Sequence, residues 1–514
     1  MFKNLYKAVF IITLFSILTR ILGFFIRIFM SRELGAEIIG VYQISISVAS
    51  VFLTIVNSGI PLTISRLSAK YMAKNEIDKS NKVVTSGTII SFGLAFLICI
   101  LTIIFKPLIT ELSNSSLVTA VLIALLPVII GSSLNVGFKG YLWGYQKHFE
   151  NCMVDFIEQI IKLALIIITV SFSKTVTQGI INCAISSSVA CLISTFISML
   201  YYFKNKGKFS NPKGYFLDLV KQSTPITLLR VISSLGGMVI SVIVPLRLMR
   251  VGYTHEQAMS LFGIALGMTL PLLYLPNTLV GSLATALIPD LAKLKAENNM
   301  KEFNEKVKSS LVFSVFISLV LVPCFMGVGR HIGSFVYNNE LSGVMLEYCA
   351  LMMLPEGINN ITNSVLNSLG LENKSFINYL FGMTLLILSI IFLPKYFGIY
   401  SLAIGMTLSL IVSGYLNLRM IKKEIGGKKL IINEMNKMLI FLIPSILINK
   451  WLYNVVNLVF NTFFSIAISS IVGFVFFVSL CLISKIFTID SLLVNFKRIK
   501  ALKRNKKSKR LKKV

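Results

Sequence analysis

The sequence of 514 residues is poor in charge, since charged residues make up 14% of it and hydrophobic residues 55%. Soluble domains carry about 25% charged residues, so the three or four soluble domains that the length alone would suggest are excluded. The apolar residues come in blocks of about 20, the length of helix that crosses a hydrocarbon core about 30 Å thick. The composition therefore predicts an all-α polytopic membrane protein.

Residue types that commonly form catalytic or metal sites are scarce. The chain has three histidines, far apart in the sequence, and its seven cysteines form no Cys-x-x-Cys pair, so neither a metal site nor a disulfide framework is expected. A Walker-type nucleotide-binding motif is also missing, because Gly426-Gly427-Lys428 lacks the required spacing. These absences argue against an enzyme and predict no cofactor.

The net charge of +29 does not indicate nucleic-acid binding, because of where the charge lies. Eleven of the 50 Lys and Arg residues fall in Lys497–Lys513, and most of the others occupy short gaps between apolar blocks. Lys and Arg concentrate on the cytoplasmic side of membrane proteins, and their distribution predicts that both termini are cytoplasmic. The tail Lys497–Lys513 either binds anionic lipid or acts as a topogenic anchor.

Apolar blocks bounded by charged or turn residues predict fourteen transmembrane helices. The first block contains Arg20 and Arg27 and lacks a small-residue cleavage site, so it is not interpreted as a signal peptide. All loops predicted to lie outside are short, which leaves no room for an external catalytic domain. The predicted spans are 8–31, 39–62, 83–105, 117–138, 152–172, 178–203, 222–246, 258–289, 309–329, 342–366, 375–394, 397–418, 436–454 and 462–484.

An internal repeat of about 224 residues predicts a duplicated architecture. A shift of 224 places Ile64-x-x-Leu67 on Ile288-x-x-Leu291, and slightly larger shifts place Asn135 on Asn363. The prediction is two six-helix lobes, 1–210 and 211–425, related by a pseudo-two-fold axis along the membrane normal. Two extra helices (426–486) and a basic cytoplasmic tail (487–514) follow. Transporters built from such repeats bind substrate between the halves, near the midplane.

Two arginines lie within the first predicted span. Arg20 and Arg27 share a helix face with Thr13, Ser16 and Gly23, because the spacing is three or four residues. A charge at the bilayer centre costs about 2.5–3.5 kcal/mol on insertion scales, so Arg20 is predicted to face a water-filled cavity. Arg27 lies nearer the outer interface, where it either snorkels to water or joins the cavity.

The fifth predicted span carries Asp155, Glu158 and Lys162. Glu158 and Lys162 are four residues apart with the acid first, the favourable order for an ion pair within a helix. Such a pair serves either structure or coupling to an ion.

Further polar residues lie in the predicted second lobe. Arg230 lies in the seventh span, one turn past Pro225, and Glu356 follows Pro355 in the tenth span. A stripe of amides continues from Glu356 at helical spacing and either contacts substrate or forms hydrogen bonds between helices. Its members are Asn359, Asn360, Asn363 and Asn367.

The residues Thr19–Arg27 and Arg32–Ala36, followed by Gly40-Val41-Tyr42-Gln43, resemble the start of the stage V sporulation protein B family. These polysaccharide-biosynthesis membrane proteins belong to the multidrug/oligosaccharidyl-lipid/polysaccharide exporter superfamily, with the MurJ-type lipid II flippases, the Wzx flippases and the MATE antiporters. The resemblance extends over the whole chain in span count and repeat. Arg20 and Arg27 are similar in placement to the first-helix arginines of MurJ-type flippases.

The resemblance implies a flippase in the cytoplasmic membrane that moves an undecaprenyl-pyrophosphate-linked oligosaccharide outward by alternating access. A peptidoglycan precursor such as lipid II, for cell-wall or spore-cortex synthesis, is the expected substrate, and membrane lipids are further partners. Arg20, Arg27, Arg230, Glu356, Asn359 and Asn360 are the expected substrate ligands. Asp155, Glu158 and Lys162 would couple to H⁺ or Na⁺ or balance charge. A monomer is expected.

Two other functions remain open from the sequence. A MATE-like antiporter of cationic drugs would need an excess of acid in its cavity. The candidate intramembrane residues named above instead comprise four basic ones (Arg20, Arg27, Lys162 and Arg230) and three acidic ones (Asp155, Glu158 and Glu356). A glycan polymerase or ligase usually carries a large external loop, and the predicted external loops are short.

Overall fold

A computed structural model describes residues 2–212, 214–425, 432–484 and 486. Residues 426–431 and the predicted basic tail 487–514 lie outside the described residues. The described chain is helical and contains no strand. Its helices are α1 (Phe2–Asn57), α2 (Gly59–Ala73), α3 (Ile77–Ile104), α4 (Lys106–Ser113), α5 (Ser116–Gly144), α6 (His148–Ser171), α7 (Val176–Lys204), α8 (Phe216–Arg250), α9 (His255–Phe262), α10 (Leu270–Leu273), α11 (Asn277–Ala296), α12 (Met300–Leu319), α13 (Val322–Tyr337), α14 (Glu340–Cys349), α15 (Met353–Ser368), α16 (Glu372–Phe392), α17 (Pro394–Phe397), α18 (Tyr400–Ile425), α19 (Ile432–Val456) and α20 (Thr462–Ile483). A π-helix (Gly263–Thr269) joins α9 to α10, and a 3₁₀ turn (Ala350–Met352) joins α14 to α15.

The helix α1 is kinked at Gly35, where φ is 80° and ψ is 171°. Only glycine adopts this backbone region without strain. The first two predicted spans, 8–31 and 39–62, therefore lie on either side of one residue. The chain breaks again at Ser58, and α2 continues the second span.

Twelve helical segments of the described chain are long and apolar enough to cross a membrane. One of them, Ile11–Ala73, contains the first two predicted spans. The helix α6, which corresponds to the fifth predicted span, is not among the twelve because Asp155, Glu158 and Lys162 interrupt its apolar sequence. The count of fourteen therefore stays a prediction, and the all-helical membrane architecture agrees with the structure.

The 224-residue period of the sequence also appears in the positions at which helices of the described chain begin and end. Left-handed residues that end helices recur as well, since Asn114 (φ 50°) has its counterpart in Asn338 (φ 53°), and Gln146 (φ 57°) in Gly370 (φ 75°). This agreement supports a duplication of local structure, and the two-fold axis stays a prediction. Three pairs of helices begin 224 residues apart: Ser116 and Glu340, His148 and Glu372, Val176 and Tyr400.

The chain packs as two compact units. The first comprises Met1–Leu272 with Leu386–Gly405, and the second comprises the described residues of Leu273–Leu385 and Met406–Val514. In the first unit, Tyr141 and Tyr202 are fully buried and pack edge to face at 4.8 Å, next to Ile64 of α2 and Val84 of α3. The predicted domain boundaries at 210 and 425 stay predictions.

The second unit has its own polar and small-residue packing. The Asn277 amide donates to the Met353 carbonyl oxygen at 3.3 Å and accepts from the Ser318 hydroxyl at 3.1 Å. A methyl group added at Gly357 would overlap the Ser318 hydroxyl, so α15 lies directly on α12. These contacts hold the helix that carries Glu356.

Candidate functional site

The first half of α1 has two exposed faces of opposite character. At about 100° per residue, the exposed apolar residues Leu14, Ile17, Ile21 and Phe25 form one face. Arg20, which is exposed, lies about 120° around the helix from the centre of that face. The apolar face suits lipid, and the polar face that contains Arg20 suits water. That Arg20 faces a water-filled space stays a prediction.

The remaining face of α1 packs against α6. The Phe15 ring makes edge-to-face contacts with Phe149 at 5.8 Å and with Phe156 at 5.6 Å. These aromatic contacts fix the rotation of α1 about its axis, and therefore the direction of its polar face.

Arg27 is half-buried and points at the π-helix. Its Nη1 donates to the Gly267 carbonyl oxygen at 3.4 Å. A π-helix leaves backbone groups outside the regular α-helical hydrogen-bond pattern and often marks a functional position. Of the two interpretations of Arg27, snorkelling to the outer interface is disfavoured, because its guanidinium contacts a carbonyl inside the first unit.

Close backbone packing brings the π-helix to α1. A methyl group added at Gly40 would overlap the Met259 carbonyl oxygen, and one added at Gly263 would overlap the Ala36 carbonyl oxygen. Small residues at such crossings let transmembrane helices approach closely. Gly40 and Gly263 therefore place the π-helix within reach of Arg27.

Arg230 is exposed, although it lies on the face of α8 that contacts α1 and α2. Two helical turns before it, the Ser223 carbonyl oxygen lies against Gly59 of α2. Three turns after it, the Ser241 hydroxyl donates to the Ser47 hydroxyl of α1 at 2.8 Å. The exposure of Arg230 between these contacts indicates an opening beside it. The exposed apolar residues of α8, such as Leu228 and Ile232, lie on the opposite face.

A row of polar residues on the second half of α1 was missed from the sequence. They repeat every three or four residues, are half-buried, and lie on one helix face that includes Ser47. Small hydroxyl residues give a weak sequence signal in membrane helices, but the spacing alone would have found them. The row consists of Gln43, Ser47, Ser50, Thr54 and Asn57.

The predicted ion pair between Glu158 and Lys162 is wrong, because no ion pair among the described residues joins them. Lys139 of α5 instead pairs with Asp155, with 2.5 Å between Nζ and Oδ1. The Glu158 carboxylate accepts a hydrogen bond from the Ser194 hydroxyl of α7 at 2.7 Å. Partners on neighbouring helices satisfy both acids. We call Lys139, Asp155, Glu158 and Ser194 the charged node.

The amide stripe of α15 forms hydrogen bonds between helices. The Asn417 amide of α18 donates to Asn363 Oδ1 at 2.7 Å and to Asn359 Oδ1 at 3.3 Å. Asn378 of α16 donates to Asn417 Oδ1 at 2.8 Å. Of the two interpretations of the stripe, hydrogen bonding between helices describes Asn359. We call Asn359, Asn363, Asn378 and Asn417 the amide node.

Glu356 and Asn360 lie outside the amide node. The Asn360 amide donates to Glu356 Oε1 at 3.3 Å, and both side chains are half-buried. The carboxylate also interacts electrostatically with the Tyr274 hydroxyl. Unlike Asn359 and Asn363, Glu356 and Asn360 form their hydrogen bond within α15 and not to a neighbouring helix.

The two nodes occupy equivalent positions of the repeat, to within one residue. Lys139 corresponds to Asn363 at a shift of 224, and Ser194 corresponds to Asn417 at a shift of 223. The charged node joins α5, α6 and α7, and the amide node joins α15, α16 and α18, which are the corresponding helices of the two repeats. The first is built from charged side chains and the second from neutral amides, so only the first contains ionisable groups.

The sequence matches the model of the polysaccharide biosynthesis protein family over residues 5–295, more than half of the chain. The chain belongs to this family. It is also 23% identical to stage V sporulation protein B of Bacillus subtilis (strain 168) over 388 residues, covering 73% of this chain and 75% of that protein. The lipid II flippase MurJ of the same organism is 23% identical over 376 residues, covering 66% and 67%.

Solved structures of this superfamily share the fold. The lipid II flippase MurJ in an inward closed conformation superposes with a TM-score of 0.66 at 18% identity, covering 92% of this chain and all of that chain. An inward-facing multidrug resistance MATE family transporter of the MOP superfamily also gives 0.66, at 13% identity, covering 79% and 94%. The family resemblance of the opening residues is therefore confirmed, and the protein is a multi-pass membrane protein.

Proposed function

We propose that this protein is a flippase that moves an undecaprenyl-pyrophosphate-linked oligosaccharide outward across the cytoplasmic membrane by alternating access. A peptidoglycan precursor such as lipid II is the substrate we favour, and both termini lie in the cytoplasm. The main support is the exposed polar face of α1, which carries Arg20 apart from the apolar face of the same helix. The names of the curated relatives point in the same direction.

The chemistry of the arginines fits an anionic pyrophosphate. A guanidinium presents paired donors that match phosphate oxygens, and it stays charged in a site of low dielectric constant. Arg20 and Arg230 are both exposed, and no ion pair of the described chain engages either of them. They hold the pyrophosphate in our proposal, and Arg27 assists at the outer side by exchanging its Gly267 contact for the substrate.

The charged node is the proposed coupling site. Asp155 and Glu158 lie in a membrane helix, where an ionisable group is a functional candidate. Lys139 forms an ion pair with Asp155, and protonation of the Asp155 carboxylate would break that pair. We propose H⁺ as the coupling ion, because Lys139 already supplies the positive charge that a bound Na⁺ would bring. Lys162 balances the remaining charge, and Glu356 with Asn360 contacts the head group.

A MATE-like antiporter of cationic drugs is the second candidate. Its support is structural, since a MATE transporter shares the fold, and a likeness at 13% identity concerns the fold alone. Arg20, Arg27 and Arg230 are themselves cations, which disfavours a cationic drug next to them. Uptake of a cationic dye driven by a Na⁺ or H⁺ gradient in proteoliposomes, without flipping of lipid-linked sugar, would favour this candidate.

The test is flipping of a fluorescent undecaprenyl-pyrophosphate-linked disaccharide in proteoliposomes. Charge-assisted hydrogen bonds contribute about 1.5–3 kcal/mol each, so Arg20→Ala and Arg230→Ala should each slow flipping by roughly ten- to a hundredfold. Arg66→Ala, which removes an exposed arginine in the middle of α2, is the control and should flip normally. Normal flipping by both arginine variants would contradict the proposed site.

A further inference from the structure

Two rows of uncharged polar residues contact each other inside the first unit. The α1 row is Gln43, Ser47, Ser50, Thr54 and Asn57. The α8 row repeats at intervals of four and seven residues, which also keep it on one helix face, and it surrounds Arg230. The Ser47 and Ser241 hydroxyls lie 2.8 Å apart. We call the two rows together the polar seam; the α8 row is Ser223, Thr227, Ser234 and Ser241.

The seam is closed at its ends and open between them. Ser241 and Ser223 at the ends of the α8 row are 2% and 5% exposed. Between them Thr227 and Ser234 are half-buried and Arg230 is exposed. A row that served packing alone would be buried along its whole length, so the middle of the seam is accessible.

Polar atoms along the seam have unused hydrogen-bonding capacity. The hydroxyls of Ser47, Ser50 and Thr54 donate to carbonyl oxygens of their own helix, at 2.6–2.7 Å, and their oxygens remain able to accept. Asn57 Oδ1 and the adjacent Ser58 Oγ are buried with no hydrogen-bond partner in the described chain.

The chemistry of the seam selects an uncharged polyol. Neither row contains an acidic residue, which disfavours a cationic ligand. The two rows comprise nine neutral residues, and Arg230 is the cation that lies between members of the α8 row. Hydroxyl and amide groups one helical turn apart match the hydroxyl and acetamido groups of a sugar. We propose that the polar seam binds the sugar part of the lipid-linked substrate, next to a pyrophosphate held by Arg230. This proposal rests on the proposed function.

The seam is tested by comparing two probes, undecaprenyl pyrophosphate and undecaprenyl-pyrophosphate-linked disaccharide, whose binding to the purified full-length protein gives two Kd values. Thr54→Val combined with Ser234→Ala removes two seam hydroxyls with almost no change in volume. Ser233→Ala is the control, because its hydroxyl has the same kind of contact within the helix, to Leu229, but lies off the row. The double variant should bind the disaccharide probe roughly three- to tenfold more weakly and undecaprenyl pyrophosphate normally.

The outcomes separate the seam from the function. If the double variant weakens both probes equally, or neither, the seam does not read the sugar and the proposal is overturned. If the wild-type protein binds neither probe, the proposed function fails and the seam assignment fails with it. If Ser233→Ala behaves like the double variant, the effect is general to α8 and the assignment is also overturned.

Discussion

At the scale of the residue, the sequence predicts which polar side chains matter better than it predicts their partners. The spacing on α1 predicts a polar face that contains Arg20, and Arg20 is exposed in the structure. The partner of Asp155 was missed because Lys139 lies 16 residues away on another helix, whereas helical spacing reveals only partners on the same helix. The amides of α15 illustrate the same limit, since Asn417 comes from α18.

Asn417 and Asn360 should separate stability from transport. Asn417→Leu removes the donor to the half-buried Asn359 oxygen and the acceptor of the buried Asn378 amide, at a cost of about 1–3 kcal/mol. Asn363 keeps the Ser375 hydroxyl as a donor. Its thermal unfolding temperature should fall. Asn360→Leu, on the same helix as Asn359 but outside the amide node, should leave that temperature unchanged and slow flipping. Equal unfolding temperatures for the two variants would contradict a structural amide node.

At the scale of the element, the sequence predicts the repeat, whereas it does not determine the number of helices. The 224-residue shift agrees with helix starts at Ser116 and Glu340. The second predicted span begins at 39, but the helix runs continuously from Phe2 to Asn57 with a kink at one residue. Hydropathy does not report a kink, because a single glycine barely changes the apolar pattern.

The kink at Gly35 should be intolerant of a side chain. Its φ of 80° is strained for any residue with a Cβ, at about 1–3 kcal/mol. Gly35→Ala should therefore lower the unfolding temperature of the purified protein. Gly23→Ala is the matched control in the same helix, since an added methyl would meet nothing within 4 Å. Equal unfolding temperatures for the two variants would show that the kink is not a glycine requirement.

The two nodes should be interchangeable in structure but not in chemistry. Asp155→Asn leaves the half-buried Lys139 ammonium without its acid and should destabilise the protein, because a lost partner strands a charge. Adding Lys139→Asn should restore much of that stability, since the second repeat uses amides at the equivalent positions. Thermal unfolding of the single and double variants measures this. A double variant as unstable as the sum of the two single variants would contradict the equivalence.

The same double variant also tests coupling. With Lys139→Asn and Asp155→Asn the node no longer contains that ion pair, so flipping should lose its dependence on a pH gradient. The flipping rate with and without an imposed gradient is the measurement. An undiminished response to the gradient would remove Asp155 from the coupling site.

At the scale of the whole molecule, the sequence indicated the fold because membrane insertion restricts the architecture. A helix in lipid must satisfy its own backbone, so apolar blocks, loop charge and a repeat predict an all-helical membrane protein. Hydropathy does not predict the polar row of α1, because hydroxyl and amide residues barely alter the hydropathy of a helix. Contacts with neighbouring helices, such as that between Ser47 and Ser241, became visible only in three dimensions.

The central claim is that Arg20 and Arg230 face water within the membrane. All seven native cysteines are buried, so an introduced cysteine can be labelled selectively with a membrane-impermeant, water-soluble maleimide. Since thiolate chemistry requires water, Arg20→Cys and Arg230→Cys should be labelled rapidly in intact membranes. Ile21→Cys and Leu229→Cys, their neighbours on the apolar faces, should resist labelling. Equal labelling within each pair, or faster labelling of the apolar positions, would contradict the account.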